Sequence, residues 1–352
     1  MEKKSSNSNL HKANKAKKDE FYTQLIDIEK ELKHYKDQFR GKVVYCNCDD
    51  PFESNFFKYF TLNFNALGLK RLIATSYKPS PVANTQVTLF GDNVTFEPAK
   101  GRPKITANRF IINEVGDLDC DGAFDLKDIA EQLKVNKNNE WAPLEGDGDF
   151  RSPESIELLK QADIVVTNPP FSLFREYVAQ LVEYNKRFLI IGNINAITYK
   201  EIFKLIKENK AWLGINMGRG ISGFIVPDHY ELYGTETRID DFGNRIISPN
   251  NCLWLTNVDT SKRHEDIILT KKYRDNKIKY PKFDNYDAIN VNKTQDIPMG
   301  YNGVMGVPIT FLHKYNPEQF ELIKFRKGDD DKDLSINGKC PYFRILIKNK
   351  RL

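Results

Sequence analysis

One nine-residue stretch, Asp163 to Phe171, constrains the fold of this chain more than any other. Ile164 to Val166 are apolar and β-branched, which predicts a buried central strand of a parallel sheet. Pro169 and Pro170 then end the strand, because proline cannot donate to a strand ladder and fixes its own φ. Ligands of open α/β sheets bind just beyond the carboxyl ends of the strands, so we expect a site at Asn168.

The tetrapeptide Asn168-Pro169-Pro170-Phe171 suits methyl transfer to an amine on an aromatic ring. The lone pair of such an amine is delocalised into the ring, which makes the nitrogen a poor nucleophile. Two acceptors on its N–H groups, the Asn168 side-chain oxygen and the Pro169 carbonyl, would localise that lone pair, while Phe171 would stack on the ring. With a sulfonium methyl donor no strong base is needed, so positioning and electrostatics supply the catalysis. The structural alternative is an Asn-Pro turn after a strand.

The tetrapeptide resembles the Asp/Asn/Ser-Pro-Pro-aromatic signature of S-adenosylmethionine-dependent amino-methyltransferases. Together with residues 47–60 (NCDDPFESNFFKYF) and 306–312 (GVPITFL), it makes the chain resemble the EcoRI-type adenine-specific DNA methyltransferases from about residue 19 to near residue 320. The resemblance implies S-adenosyl-L-methionine as cofactor and methylation of adenine N6 in double-stranded DNA, with the base flipped out of the duplex. The tetrapeptide alone is shared with N4-cytosine, RNA and protein-glutamine methyltransferases.

The loop after the first predicted core strand, residues 42–46, departs from the family pattern. The family has Asp-Pro-Phe-x-Gly-x-Gly, whereas this chain keeps Asp-Pro-Phe at Pro51 and places Ser54, Asn55 and bulky residues where the glycines stand. Glycines allow close backbone approach, so here Ser54 or Asn55 would add side-chain contacts to the cofactor. Asp49 and Asp50 are candidate partners of its ammonium group. The structural alternative is a capped helix start with Ser54 as N-cap.

The residues that open the first amphipathic helix, predicted for residues 19–39, carry a second element of the cofactor site. Residues 19–23 resemble the Phe-Tyr-Thr-Pro element of related methyltransferases, which leans over the methionine end of the cofactor. This resemblance implicates Tyr22 and Thr23. The alternative is a helix N-terminus that docks on the sheet.

A third element lies before a helix that should begin after Ser152, with Pro153 at its first position. The Asp-Phe pair of Asp149 and Phe150 resembles the acidic motif that holds the cofactor adenine, with Asp147 as the second choice. A Gly-Asp turn is the structural alternative.

The order of strand and helix patterns predicts the domain organisation. Alternation through the first two thirds of the chain indicates a doubly wound, Rossmann-like α/β sheet. We expect a disordered basic arm at residues 1–18, a methyltransferase domain at 19–258 with an insertion at about 79–141, and a target-recognition region at 259–352 that includes a helix from residue 316.

Basic residues interleave with aromatic ones from about residue 259, a pattern that fits a surface for the DNA backbone and bases. The alternative is an ordinary solvated face. The net charge of +5 over 352 residues is compatible with nucleic acid without requiring it. The candidate DNA-binding residues, including one in a glycine-rich loop, are Arg219, Lys262, Arg263, Lys271, Lys272, Arg274 and Lys279.

The remaining composition narrows the functional class. Five cysteines and five histidines are scattered without metal-ligand spacing, so we expect reduced thiols, no metal site and a cytoplasmic protein. No apolar run is long enough to cross a membrane. We expect a monomer, with a cognate restriction endonuclease as a candidate partner. Two rivals stay open, namely the same chemistry on cytosine N4, RNA adenine or protein glutamine, and a non-catalytic nucleic-acid binder on a decayed methyltransferase fold.

Overall fold

The computed structural model describes residues 22–48, 54–76, 107–116, 138–226, 237–241, 243–248, 251–274 and 277–351, with the backbone alone at 85–90, 93–98 and 219. The expected arm at residues 1–18 lies outside these ranges. The chain divides into two compact units. Unit 1 comprises Met1–Ile194 and Asn216–Val258, and unit 2 comprises Asn195–Ile215 and Asp259–Leu352.

The strands, in chain order, are β1 (Tyr22–Thr23), β2 (Val43–Cys46), β3 (Arg71–Thr75), β4 (Thr85–Phe90), β5 (Asn93–Pro98), β6 (Asn108–Ile112), β7 (Glu140–Pro143), β8 (Ile164–Thr167), β9 (Arg187–Asn193), β10 (Trp212–Met217), β11 (Phe224–Val226), β12 (Thr237–Ile239), β13 (Arg245–Ile247), β14 (Cys252–Thr256), β15 (Lys271–Lys272), β16 (Ala288–Asn290), β17 (Pro298–Met299), β18 (Val304–Pro308), β19 (Phe320–Phe325) and β20 (Arg344–Asn349).

The α-helices are α1 (Leu25–Leu32), α2 (Asn55–Leu62), α3 (Phe64–Leu67), α4 (Pro153–Gln161), α5 (Phe174–Glu183) and α6 (Lys200–Lys207). Short 3-10 turns occupy Lys36–Gln38, Phe171–Leu173, Ile194–Thr198, Gly218–Gly220, Ser261–His264, Lys277–Lys279, Thr294–Asp296 and Ile309–Lys314.

Parallel strands form the middle of the large sheet of unit 1, in the order β3-β2-β8-β9. Strand β14 adds antiparallel beside β9, and β6 and β7 add antiparallel beside β3. Every residue of β2 and β8 is buried, as their continuous apolar sequences predict for strands covered on both faces. The fold is therefore mixed α/β. Part of the predicted insertion, in β6 and β7, belongs to this sheet.

Large aromatic side chains fill much of the core of unit 1. Phe56 and Phe60 on α2 are almost fully buried, as is Trp254 on β14. The rings of Phe56 and Trp254 meet edge to face, with centroids 5.9 Å apart. Burial of each such side chain contributes about 1.5–3 kcal/mol to the free energy of unfolding. This core holds the sheet whose edge carries the candidate site.

Two four-stranded sheets and two two-stranded sheets, β15-β17 and β4-β5, complete the described architecture. In unit 1, an antiparallel sheet has the order β1-β11-β13-β12. In unit 2, the order is β16-β18-β20-β19, with β16 and β18 parallel and the other pairs antiparallel.

Two predicted helices are wrong in extent or type. The helix expected at residues 19–39 is the short strand β1, the helix α1 and a 3-10 turn, because Gln24 is extended (φ −69°, ψ 142°) and β1 pairs with β11. Its apolar residues Ile28, Leu32 and Phe39 still face the core. In place of the helix expected from residue 316, residues 317–319 form a turn and strand β19 follows, paired with β20 with an irregularity between Leu322 and Lys324.

Candidate active site

Polar residues follow the buried parallel strands of unit 1 at a single edge of the sheet. Asn47 follows β2, Ser76 follows β3 and Asn168 follows β8, and their exposed fractions are 3%, 2% and 7%. Parallel strands end on the same side of a sheet, so these side chains share its carboxyl edge, where ligands of such sheets bind. Among the three, the sequence assigned a functional role to Asn168 alone.

The loop that carries Asn168 is held from both sides. Pro169 is buried, and Phe171 opens a 3-10 turn that leads into α5. Phe174, the first residue of α5, lies against Gly192 of β9, where an added Cβ would stand 2.6 Å from the Phe174 ring. Strand β9 therefore fixes the helix start immediately after the loop.

Tyr177 on α5 connects this helix to the tip of β2. Its hydroxyl donates a hydrogen bond to Asn47 Oδ1 at 2.5 Å, and burial raises the pKa of Tyr177 well above its ordinary value. The ring of Phe150 packs edge to face on Tyr177, with centroids 5.0 Å apart. The predicted residue Phe150 thus contacts the same cluster as the tip of β2.

The loop with the predicted acidic residues lies against the end of β3. Gly148 has φ +77°, and a Cβ there would stand 2.1 Å from the Ser76 carbonyl oxygen, so this close approach requires glycine. Asp149 forms an ion pair with Arg151 at 2.6 Å, and the hydrogen bond from Arg151 lowers the pKa of Asp149. Asp147 is exposed, so it is the more available carboxylate for a cofactor.

Strand β1, with Tyr22 and Thr23, is linked to Phe171 of the tetrapeptide through Phe224. Strand β1 pairs Thr23 with Phe224, whose ring packs edge to face on Phe171 with centroids 6.3 Å apart. Asn55 Nδ2 donates to the Thr23 carbonyl oxygen at 2.8 Å. The Thr23 hydroxyl is buried, and among the described residues no partner lies within hydrogen-bonding distance of it. A buried hydroxyl without a partner is costly, which favours a ligand at this point.

The structure also shows what Ser54 does. The Ser54 hydroxyl accepts a hydrogen bond from the backbone N–H of Phe56 at 3.1 Å and caps α2. This is the structural alternative stated above, and Asn55 likewise binds Thr23. The other predicted residues of this loop, Asp49, Asp50 and Pro51, lie outside the described part of the chain.

Most of the predicted DNA-binding residues are exposed in unit 2. Tyr273 packs against both Tyr280 and Tyr301, with ring centroids 5.8 and 4.6 Å apart, and the Tyr280 hydroxyl donates to the Asp296 carbonyl oxygen. These tyrosines anchor a segment rich in basic side chains. Among the residues predicted to bind DNA, the exposed ones are Lys262, Lys271, Lys272, Arg274 and Lys279.

Arg263 differs from the other candidates in its surroundings. Its side chain is 9% exposed and its guanidinium lies 3.6 Å from the centre of the Trp212 ring. It also forms an ion pair with Asp259 at 3.5 Å, and burial lowers its pKa. Arg263 therefore packs within unit 2. For Arg219 the structure describes the backbone alone, in the turn Gly218–Gly220.

Sequence reasoning missed several residues of this site. A polar residue directly after a buried strand was the available signal for Asn47 and Ser76. Tyr177 gave no such signal, because it recurs with apolar residues on one face of α5 and reads as core. Phe224 also lacked one, since its role depends on pairing with β1.

Within the described ranges, no group of three or more His, Cys, Asp or Glu side chains could hold a metal ion. The same ranges contain no helix that is long and apolar enough to span a membrane.

Comparisons with known proteins cover nearly the whole chain. A family model described as adenine-specific methyltransferase EcoRI matches residues 9–350. The chain is 61% identical to the Type II methyltransferase M.EcoRI of Escherichia coli, over 100% of this chain and 99% of that protein. It is 37% identical to the Type II methyltransferase M.MgeORF184P of Mycoplasma genitalium, over 97% and 99%. It is 35% identical to the Type II methyltransferase M.MpnI of Mycoplasma pneumoniae, over 97% and 98%. No solved structure matches significantly.

Proposed function

The chain belongs to the family of the adenine-specific methyltransferase EcoRI, and from this premise we propose the reaction of a site-specific DNA adenine methyltransferase. A methyl group passes from S-adenosylmethionine to N6 of an adenine flipped out of double-stranded DNA. The observation that carries the proposal is the Asn168-Pro169-Pro170-Phe171 loop at the carboxyl end of the central parallel strand β8.

The loop residues act by position and polarity. The Asn168 side-chain oxygen and the Pro169 carbonyl accept hydrogen bonds from the amino group of adenine and localise its lone pair on N6. Phe171 stacks on the base, supported by Phe224 behind it. Asn168 is 7% exposed, so its amide acts where few water molecules compete for the substrate.

The residues at the sheet edge fit the cofactor. Asn47 and Ser76 place an amide and a hydroxyl at the ends of β2 and β3, and Asp147 adds an exposed carboxylate. The Thr23 hydroxyl is a buried polar group whose partner the cofactor can supply. When bound, S-adenosylmethionine supplies a methyl group on a positively charged sulfur. Asp49, Asp50 and Pro51 remain proposed ligands from the resemblance, and a Rossmann-like sheet would bind the cofactor at this edge.

DNA binding needs surfaces beyond the site itself. A stacked adenine cannot reach Asn168, so the target nucleotide must leave the helix. We assign backbone contacts to Lys262, Lys271, Lys272, Arg274 and Lys279, with Arg219 near the target; Arg263 then acts through packing. We further propose a monomer that works in the cytoplasm, where a cognate restriction endonuclease would be its functional partner.

The family favours adenine over the other amines that the tetrapeptide permits. Among the described residues, the intact loop and its rigid support argue against a decayed, non-catalytic fold. The missing glycines after Pro51 do not contradict the proposal, because Ser54 serves as the helix cap there.

One experiment tests reaction, substrate and cofactor together. The purified protein is incubated with S-adenosylmethionine and unmethylated DNA, and the nucleosides are separated by mass spectrometry. N6-methyldeoxyadenosine is expected, and reactions without cofactor provide the control. Methylcytosine in its place, or methylation of RNA alone, would overturn the proposed substrate.

A further inference from the structure

Helix α1 presents two carboxylates to the core of unit 1. Asp27 is 1% exposed and Glu31 is 0% exposed, and they stand four residues apart on one face of the helix. Buried carboxylates are rare in proteins unless hydrogen bonds compensate their loss of water. Here both bind one segment of the chain, residues 216–222, far away in the sequence.

The two carboxylates hold the two ends of this segment. Asp27 accepts hydrogen bonds from the Ser222 backbone N–H at 2.9 and 3.0 Å and from the Ser222 hydroxyl at 2.5 Å. Glu31 accepts from the Asn216 backbone N–H at 2.8 Å and from Asn216 Nδ2 at 2.9 Å. The Tyr35 hydroxyl, one turn further along the chain, donates to Glu31 at 3.0 Å.

Gln24, just before α1, extends the same contact. Its Nε2 donates to the Gly223 carbonyl oxygen at 3.0 Å. Gln24, Asp27 and Glu31 are spaced by three and four residues, so they lie along one side of the helix. Each binds a different point of residues 216–223. We call these six bonds, together with the bond from Tyr35 to Glu31, the α1 clamp.

Stability alone is a poor reason for such a clamp. Well-packed apolar residues in place of buried ionic groups are often neutral or stabilising, because the carboxylates lose their hydration on burial. What directed hydrogen bonds add is a defined geometry. Backbone N–H groups of Asn216 and Ser222 are fixed in position, and an arch of residues 217–221 between them contains the turn Gly218–Gly220.

The arch leads directly into the candidate active site. Two residues after Ser222, the chain enters β11 at Phe224, which pairs with Thr23 and packs on Phe171. Between these points Gly223 has φ +129°, and a Cβ there would stand 2.6 Å from the Ile247 carbonyl oxygen. Little freedom is left between the clamp and Phe224, so the clamp determines where Phe224 supports Phe171.

We propose that Asp27 and Glu31 are positioning residues of the methyltransferase, which hold the arch of residues 217–221 and Phe224 in the arrangement that captures the flipped adenine. This inference rests on the proposed function. Neither carboxylate touches substrate, and both act through the segment they bind. Loss of either bond set therefore affects the DNA-dependent steps more than cofactor binding.

The test uses the full-length protein with Asp27→Asn and Glu31→Gln, which keep side-chain shape and remove the charge. Glu29→Gln is the matched control, since Glu29 is exposed on the same helix. Trypsin cleaves after Arg219 within the arch, so the rate of cleavage at that bond reports directly on the clamp. The KM for DNA, kcat and the Kd for S-adenosylmethionine are measured on the same samples.

Release of the arch should raise cleavage after Arg219 and lower kcat/KM for DNA at least about tenfold, because small misplacements are costly in catalysis. The cofactor Kd should change less than about threefold, a split that general unfolding would not produce. The inference is overturned if Asp27→Asn and Glu31→Gln behave as Glu29→Gln in cleavage and in kcat/KM. The inference is also overturned if Asp27→Asn and Glu31→Gln lose cofactor affinity and thermal stability as strongly as they lose kcat/KM for DNA.

Milder variants decide the matter if the helix variants do not fold. Ser222→Ala and Asn216→Ala remove one side-chain bond each from partly exposed residues and should show the same split to a smaller degree. Unchanged cleavage and kcat/KM in both would overturn the inference. A wild-type protein that methylates no adenine would refute the proposed function instead, while the cleavage rates would still test the clamp.

Discussion

Tyr177 and Asn47, 130 positions apart in the chain, are joined by a hydrogen bond of 2.5 Å at the heart of the sheet edge. Tyr177 belongs to the helix that follows the Asn-Pro-Pro-Phe loop, and Asn47 directly follows the strand that leads to the proposed cofactor loop. The two halves of the proposed site, one for the base and one for the methyl donor, are therefore fixed to each other. Transfer of a methyl group between them requires such fixed distances.

Tyr177→Phe should weaken cofactor binding while the protein still folds. The variant keeps the buried ring and removes the hydroxyl, which leaves Asn47 Oδ1 without this donor. If the oxygen stays buried, the loss lowers the free energy of unfolding by about 1–3 kcal/mol. We expect a several-fold higher Kd for S-adenosylmethionine by calorimetry. Tyr184→Phe, at the end of the same helix, is the control and should bind as wild type. Equal Kd values for both variants would contradict the coupling.

Asn168→Ala should abolish most turnover. Removal of one polar group aimed at the reacting centre typically costs about 10²–10³-fold in kcat. DNA affinity should stay within a few-fold, because the residues that we propose for the DNA backbone lie elsewhere. Single-turnover methylation and a DNA-binding titration separate the two quantities, with Asn65→Ala, an exposed asparagine of α3, as control. A methylation rate equal to that of the wild type in Asn168→Ala would contradict the proposed mechanism.

Gly192→Ala should destabilise the protein through the loop that carries Asn168. The new Cβ would stand 2.6 Å from the ring of Phe174, and overpacking of this kind costs about 1–3 kcal/mol. We expect a lower midpoint of urea unfolding and a lower kcat, because Phe174 starts the helix behind the loop. Gly146→Ala is the control, since nothing lies within 4 Å of its added Cβ. Wild-type stability in Gly192→Ala would show that Phe174 moves freely.

Local rules predicted the parts of this fold whose energy is local. Ser152 caps α4 by accepting from the Ser155 backbone N–H at 3.2 Å, with Pro153 at the first helical position, and both features were read from the sequence. The buried strand before Asn168 followed from three β-branched residues. These predictions are confirmed because neighbours in sequence determine them.

Features that depend on partners distant in the sequence could not be predicted from local patterns. Residues 22 and 23 read as the start of a helix, yet they form a strand because β11 lies beside them. Phe320 to Phe325 read as part of a helix and form a strand because β20 supplies a ladder. For the site itself, the tetrapeptide at Asn168 led to a predicted chemistry from local sequence, whereas the contact of Asn47 with Tyr177 joins residues 130 positions apart.

Substitutions of Arg263 and Lys279 should have different effects, one on the stability of the protein and the other on its affinity for DNA. Arg263→Ala removes a guanidinium that packs on Trp212 and pairs with Asp259, so it should lower the unfolding free energy of the protein. Lys279→Ala, at an exposed position, should leave stability unchanged and reduce DNA affinity. If a phosphate contact is lost, the plot of the logarithm of DNA affinity against the logarithm of salt concentration should become shallower by about one unit of slope. Lys160→Ala, exposed on α4, is the control for both measurements.

His264 should make the stability of the protein depend on pH. Its ring nitrogens bind Asp259 at 2.8 Å and Glu318 at 2.9 Å, and the hydrogen bond with Asp259, followed by that with Glu318, raises the pKa of His264 above its ordinary value of 6.5. A group whose pKa is raised on folding contributes its full stabilisation of the folded state at pH values below its pKa in the unfolded state. This contribution disappears as the pH rises through its pKa in the folded state. Because these groups are partly exposed, the effect should stay below about 1 kcal/mol. Urea unfolding of wild type and of His264→Gln is measured at about pH 5.5 and about pH 9, on either side of the ordinary histidine pKa near 6.5. The wild type should have the higher unfolding free energy at the lower pH alone. An equal difference at both values would mean that the charged pairs contribute nothing.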